Sequence, residues 1–352
     1  MPGRFDHVEA FARYLADGQP VERPYFLLDP DGDHAYAFVG DPEAVRLVGS
    51  LIAGEGVKRT LGRLVLRGCA HAPRLLSAVP LVSRITLSLP AGCGVDVAVA
   101  SNRTRLVDLG SAVVYTFPTD DPAGVRAEID ARRALPAGIE TPELREVDPE
   151  YPYFAERFIR GGRPDSPIDG WETMLAALEG LAVLYRNREA AVSTADVLDE
   201  TEALLADRGL ADAEPFASAL ESIAELPLPE TVFQAPIHGD LHTRNVVVTA
   251  ETVYIVDWEN YGVDYVFCDF FKPFVVSYYD TRDPAFFREL IADEGRGGEI
   301  FATYIERFGE TVCSEPRHYA GLPVLYLLVE LARTDRGGLW DAYRELLGAV
   351  VR

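Results

Sequence analysis

The sequence predicts an α+β protein built as two lobes: a small antiparallel sheet carrying one helix, then a mostly helical region that encloses a single β-rich island. Three observations lead there. Strand-length apolar runs broken by short polar turns fill residues 95–159, helical periodicity dominates beyond 170, and only 231–271 interrupts that second pattern with strand-like runs.

Taken in order, the first 45 residues hold β-like runs at 25–28 and 35–39 separated by an acidic turn at 29–33. Residues 56–95 contain no Asp or Glu but do contain Lys58, Arg59, Arg63, Arg67, Arg74 and Arg84. Arg59, Arg63 and Arg67 recur every four residues, which places three cations on one face of a helix whose other positions are Leu61, Leu64, Val65 and Leu66. Such a basic amphipathic helix suits an anionic membrane surface or an acidic partner; the plainer alternative is pairing with carboxylates of the same chain. Residues 1–94 are accordingly expected as an N-terminal extension with a basic segment at 56–95.

Residues 95–160 read as a sheet lobe. An alternating strand at 95–100, the polar loop Ser101-Asn102-Arg103-Thr104-Arg105 and a strand at 106–109 are followed by Gly110 and a third strand at 112–117. Asp121-Pro122 opens a helix through Leu135 that carries Glu128, and 142–147 and 153–159 supply two more strands. Gly161-Gly162 reads as a hinge into a helical lobe, 161–352. There, helices are expected at 171–188, 194–207, 215–226, 284–293, 298–308 and 323–351.

Composition sets outer limits. The chain has 352 residues, 56 acidic against 33 basic and a net charge of −23, yet 48% of it is apolar. So apolar a chain can bury a core, which excludes a disordered acidic tail. The negative field excludes general nucleic-acid binding. Only Lys58 and Lys272 are lysines, and the dispersed acidity reads as a solvating surface suited to high salt. Cys69, Cys93, Cys268 and Cys313 lack CxxC spacing, which suggests buried thiols rather than zinc or disulfides. With no leader-like N-terminus and no run of 18 apolar residues, a cytoplasmic protein with membrane-peripheral contact at most is expected. Oligomeric state is open.

The island carries the chemistry. It reads Ile237-His238-Gly239-Asp240-Leu241-His242-Thr243-Arg244-Asn245, the run Val246-Val247-Val248, a turn, and Val253-Tyr254-Ile255-Val256-Asp257-Trp258-Glu259. A hairpin brings Asp240 and Asn245, before its first strand, to Asp257 at the end of its second. Carboxylate and amide oxygens are what Mg²⁺ takes when it also binds phosphates. Asp240 would then accept the proton of an acceptor hydroxyl, with Asn245 and Asp257 on the metal.

These two segments resemble the catalytic loop and metal-binding segment of the aminoglycoside phosphotransferase and choline kinase families, which share the protein-kinase-like fold. The resemblance runs from about residue 95 to the C-terminus. It implies ATP and Mg²⁺ as cofactors, a nucleotide-binding N-lobe at 95–160, and transfer of the γ-phosphoryl group to a small-molecule or sugar hydroxyl. By position, Asp240 is the catalytic base, His238 a residue orienting its loop, and Asn245 and Asp257 metal ligands. Asp269 resembles the buried aspartate that supports this loop. Glu128 stands where the family's glutamate pairs with a third-strand lysine, Glu156-Arg157-Phe158 where backbone groups meet adenine, and the 101–105 loop where phosphates are covered. That loop has no glycine, and the lysine position falls on Thr116, or on Tyr115. Arg103 or Arg105 is then expected to supply the missing charge; the alternative is a catalytically impaired nucleotide-binding scaffold. Glu259, Asp264 and Asp280 are candidates to receive a cationic acceptor.

Overall fold

Helices pack on both faces of the first sheet, and two of its inner strands are buried throughout. The computed structural model describes the chain apart from residues 1–4, 16–19, 30–33, 53–65, 67, 72, 80–81, 90–92, 149, 336 and 352. Lys58, Arg59, Arg63 and Arg67, and with them the expected basic helix, lie outside the described residues. The chain divides into two units, 1–133 with 142–160, and 134–141 with 161–352.

The first unit is an eight-stranded antiparallel sheet among the described residues, in the order β3-β1-β2-β4-β5-β6-β8-β7. Its strands are β1 (Val21–Leu28), β2 (Ala35–Phe38), β3 (Val82–Leu89), β4 (Val97–Ala100), β5 (Arg103–Asp108), β6 (Val113–Pro118), β7 (Leu144–Asp148) and β8 (Tyr153–Arg157). Every residue of β2 and β4 is buried. Tyr36, Phe38, Val97 and Val99 join one core with Ala44, Val45 and Val48 of helix α2 (Pro42–Leu51). Ala35, Ala37, Ala98 and Ala100 join the other with Val8 and Phe11 of helix α1 (Asp6–Leu15). Each large apolar side chain so buried contributes about 1.5–3 kcal/mol before entropy is counted. Helix α2 starts sharply because Asp41 caps it, accepting from the Glu43 N–H at 2.7 Å, with Pro42 in the first turn.

Two features of this unit depart from the sequence reading. Residues 21–89 are not set apart from the sheet: β2 pairs with β4 from Ala35↔Ala100 to Phe38↔Val97. Pairing between segments some sixty residues apart leaves no local mark in the sequence. The expected 101–105 loop shrinks to a turn at Ser101-Asn102, because Arg103 already pairs with Pro118 and Arg105 with Thr116. Glu128 does lie on the expected helix, α3 (Ala123–Ala134).

In the second unit, β10 (Thr231–Ile237) runs between β9 (Ala190–Ser193) and β13 (Gly262–Tyr265), and β11 (Val246–Val248) with β12 (Val253–Ile255) forms the expected hairpin. Around them lie α4 (Trp171–Tyr185), α5 (Thr194–Asp207), α6 (Phe216–Ile223), α7 (Phe267–Thr281), α8 (Ala285–Ala292), α9 (Gly295–Val312), α10 (Leu322–Arg333) and α11 (Gly338–Val350). The stretch expected as one helix over 323–351 is two, since Thr334 turns to extended backbone. Gly161-Gly162 is pinned rather than free as a hinge: Gly162 and Val248 exchange hydrogen bonds at 2.9 and 2.8 Å. A Cβ on Gly161 would lie 2.5 Å from the Val248 carbonyl oxygen. Helix α7 has no counterpart in the sequence reading, because its aromatic residues and Pro273 mask a helix buried around most of its circumference. All four cysteines are free, three of them buried. Among the described residues no helix is long and apolar enough to cross a membrane.

Candidate active site

Strand β10 delivers His238 at its end, and the chain must then turn tightly. Gly239 makes the turn with φ +80°, and a Cβ there would lie 2.3 Å from the Asn260 carbonyl oxygen, so only glycine fits. His238 is fully buried. Its Nδ1 accepts from the Asp240 N–H at 3.2 Å and its Nε2 donates to the Val256 carbonyl at 3.0 Å. That pattern fixes a neutral imidazole with the proton on Nε2, bridging the two motifs. The ring thereby ties the 238–240 loop to the segment leading into Asp257.

The hairpin completes the convergence. Val246 pairs with Ile255, and the Val256 N–H donates to the Asn245 carbonyl at 3.0 Å, which brings Asn245 beside the segment leading into Asp257. Asp257 adopts φ +72°, a left-handed conformation that a non-glycine residue takes at a cost of about 1–3 kcal/mol. Trp258, buried behind it, donates its indole N–H to Ile255 and stands 4.7 Å from the His238 ring.

Asp240 is held on several sides. The Asn245 amide donates to its backbone carbonyl at 2.9 Å and lies 3.4 Å from Oδ2. His242 Nε2 also lies 3.4 Å from Oδ2, and Lys272 Nζ lies 3.7 Å from Oδ1. Burial pushes the Asp240 carboxyl up, but the His242 contact and the Lys272 ammonium outweigh it, and the net shift is downward. Asp240 is therefore a carboxylate at neutral pH. Below it, Asp269 is wholly buried on α7 and accepts from the N–H groups of His238 (2.8 Å) and Gly239 (2.9 Å) and from the Tyr185 hydroxyl (3.1 Å). Burial raises its own pKa against the charge and hydrogen bonds that lower it.

The donor set suits Mg²⁺. With its amide nitrogen committed to Asp240, Asn245 offers Oδ1, and Asp257 offers a carboxylate. Among the described residues no three His, Cys, Asp or Glu side chains are grouped to hold a metal by themselves. Two protein oxygens completed by phosphates and water are what Mg²⁺ ordinarily takes, so the residues present fit it.

In the first unit, Arg103 and Glu128 form an ion pair with both side chains almost fully buried. Thr116 is buried on β6, its hydroxyl without a hydrogen-bond partner. Arg105 is half-buried on β5. The Glu156 side chain is taken by Arg132 at 2.8 Å, and the N–H groups of Arg157 and Phe158 by the carbonyls of Glu143 and Ala112, both at 2.9 Å. Of the carboxylates marked for a cationic acceptor, Asp280 is paired with Arg244 at 2.6 Å and Asp264 with Arg333 at 2.8 Å. Sequence reasoning passed over Lys272. The available signal was its rarity: one of two lysines, three residues after Asp269.

Residues 97–304 match the model of the phosphotransferase enzyme family. Among solved structures, aminoglycoside phosphotransferase APH(4)-Ia is 15% identical, covering 71% of this chain and 88% of its own, with a TM-score of 0.42. A choline/ethanolamine kinase family protein from Mesorhizobium loti is 18% identical over 80% of this chain and 92% of its own, with a TM-score of 0.37. Choline kinase LicA from Streptococcus pneumoniae is 10% identical over 71% and 89%, with a TM-score of 0.42. No curated protein matches the sequence.

Proposed function

Because the chain belongs to the phosphotransferase enzyme family, we propose that it moves the γ-phosphoryl group of ATP, with Mg²⁺, to a hydroxyl of a small molecule or sugar. The observation that carries this reading is the Asp240 carboxylate, kept ionised in a loop whose backbone hangs on Asp269 and whose neighbour Asn245 is tied to the strand leading into Asp257. Asp240 takes the acceptor proton as the hydroxyl oxygen bonds to phosphorus and the bond to the departing ADP breaks. Asn245 and Asp257 would hold the metal, which when bound would neutralise charge on the phosphates.

Arg103 stands in for the missing third-strand lysine. It reaches Glu128 from the neighbouring strand, so the cation–carboxylate pair exists with its positive member relocated. An arginine also keeps its charge under any burial. Arg105, on the same strand, would add charge toward the phosphates. Glu156 serves through Arg132 in ordering the end of β8, and adenine would meet backbone beyond Phe158 rather than its side chain. With Asp264 and Asp280 already paired to arginines, an uncharged hydroxyl acceptor is favoured over a polycation.

The test is coupled ADP detection at high salt with Mg²⁺ over a panel of sugars, polyols, amino alcohols and aminoglycosides. Asp240→Asn is expected to lower turnover about 10²–10⁴-fold while leaving nucleotide binding intact. A nucleotide-dependent thermal shift with no Asp240-dependent ADP release would instead establish the scaffold reading.

A further inference from the structure

Helix α7 carries Asp269 and Lys272 three residues apart, which sets both on one face of the helix. Asp269 holds the backbone of the loop through the His238 and Gly239 N–H groups. Lys272 reaches the side chain of the same loop: its Nζ lies 3.7 Å from Asp240 Oδ1 and 3.8 Å from Glu330 Oε2, and 5.9 Å from the centroid of the Tyr343 ring. Glu330, on α10, is fixed in turn, because the Tyr343 hydroxyl donates to it at 2.8 Å and lies 2.9 Å from the Tyr326 hydroxyl. Lys272 and Glu330 are only 13% and 17% exposed.

We propose that Lys272 is a positioning residue for phosphoryl transfer, a cation shared between Asp240 and Glu330 that fixes the orientation of the catalytic carboxylate without tying it up. The distances carry the point. Both exceed the usual 2.7–3.2 Å of a direct N–H···O bond, roughly speaking, so the ammonium is balanced between two acids rather than closed on one. Closed on Asp240, it would occupy the lone pairs that must take the acceptor proton. Absent, it would leave Oδ1 unrestrained, while His242 and Asn245 contact only Oδ2. Small errors in the placement of a base are costly, about 10²-fold for a displacement near 1 Å. Glu330 and Tyr343 act at one remove by holding Nζ back.

This inference rests on the phosphotransfer reading, and the experiment separates the two. ADP release with Mg·ATP, by intrinsic hydrolysis and with the best acceptor, is measured for the wild type, Asp240→Asn, Lys272→Met, Glu330→Gln and the Lys272→Met/Glu330→Gln double variant. Lys272→Met is expected to lower kcat about 10–100-fold with acceptor KM and nucleotide affinity within about twofold. Glu330→Gln should lower kcat less, and the double variant should be no worse than Lys272→Met, because Glu330 acts through the lysine. If Lys272→Met does not fold, the kcat-only loss in Glu330→Gln decides the matter. Wild-type kcat in either single variant, a change confined to KM, or additive losses would overturn the role of Lys272 alone. A wild type without Asp240-dependent turnover would overturn the phosphotransfer reading and this inference with it.

Discussion

Gly239 and Arg103 show at the scale of single residues how much of the site is dictated by sterics and charge. Alanine at 239 would have to hold φ +80° and place its Cβ 2.3 Å from a backbone oxygen. Gly239→Ala is therefore expected to destabilise the protein by about 1–3 kcal/mol and to displace Asp240, seen as a lower Tm together with lost turnover. Arg103→Met removes the guanidinium that pairs with buried Glu128, a change that typically costs about 3–5 kcal/mol. Denaturant unfolding of this variant, beside Arg103→Lys, measures that cost; the lysine variant, whose charge burial disfavours, should recover only part of the stability. At this scale the sequence was legible for Asp240, Asn245 and Asp257, whose spacing around a hairpin is itself the signal. It was silent on Lys272, whose partners Asp240 and Glu330 lie 32 and 58 residues away.

Elements make those residues a site by carrying hydrogen bonds between distant segments. Helix α7 is the main example: Asp269 satisfies the N–H groups of His238 and Gly239 and one tyrosine hydroxyl. Asp269→Ala would strand both N–H groups in the interior, each costing about 1–3 kcal/mol, and should be read as a fall in Tm with loss of ADP release. In the first unit Asp108 plays a comparable part, closing the end of β5 by accepting from the N–H groups of Gly94 (3.0 Å) and Ser111 (2.9 Å). Burial pushes its carboxyl up, but the hydrogen bonds from Ser111, Gly94 and Gly110 outweigh that, and its pKa is lowered. A carboxylate depressed on folding contributes stability that is complete above its unfolded pKa and is lost as pH falls through its folded value. Asp108→Asn should therefore lower stability at neutral pH and flatten its decline below about pH 4, measured by urea unfolding across pH. The strands of the sheet and the hairpin could be read from period-two runs, whereas α7 could not, because a helix buried nearly all round has no polar stripe to give it away.

For the whole molecule the governing quantity is the net charge of −23, carried by a chain that is nearly half apolar. Self-repulsion at this charge density weakens the folded state at low ionic strength and is screened as the Debye length falls from about 10 Å at 0.1 M to about 3 Å at 1 M salt. Tm is therefore expected to rise by several degrees between those concentrations, and a Tm independent of salt would count against the reading of the acidity as suited to high salt. The sequence by itself determined the α+β class, the hairpin with its three polar residues, the scarcity of lysine and the excess of negative charge, because each is written in local period, spacing or composition. Only the tertiary structure decided that β1 to β3 join the same sheet, that Arg103 meets Glu128, and that Lys272 stands between Asp240 and Glu330. Those pairings join residues far apart in the chain, and what selects them is burial: a charged group removed from water must find its partner wherever the packed core brings one.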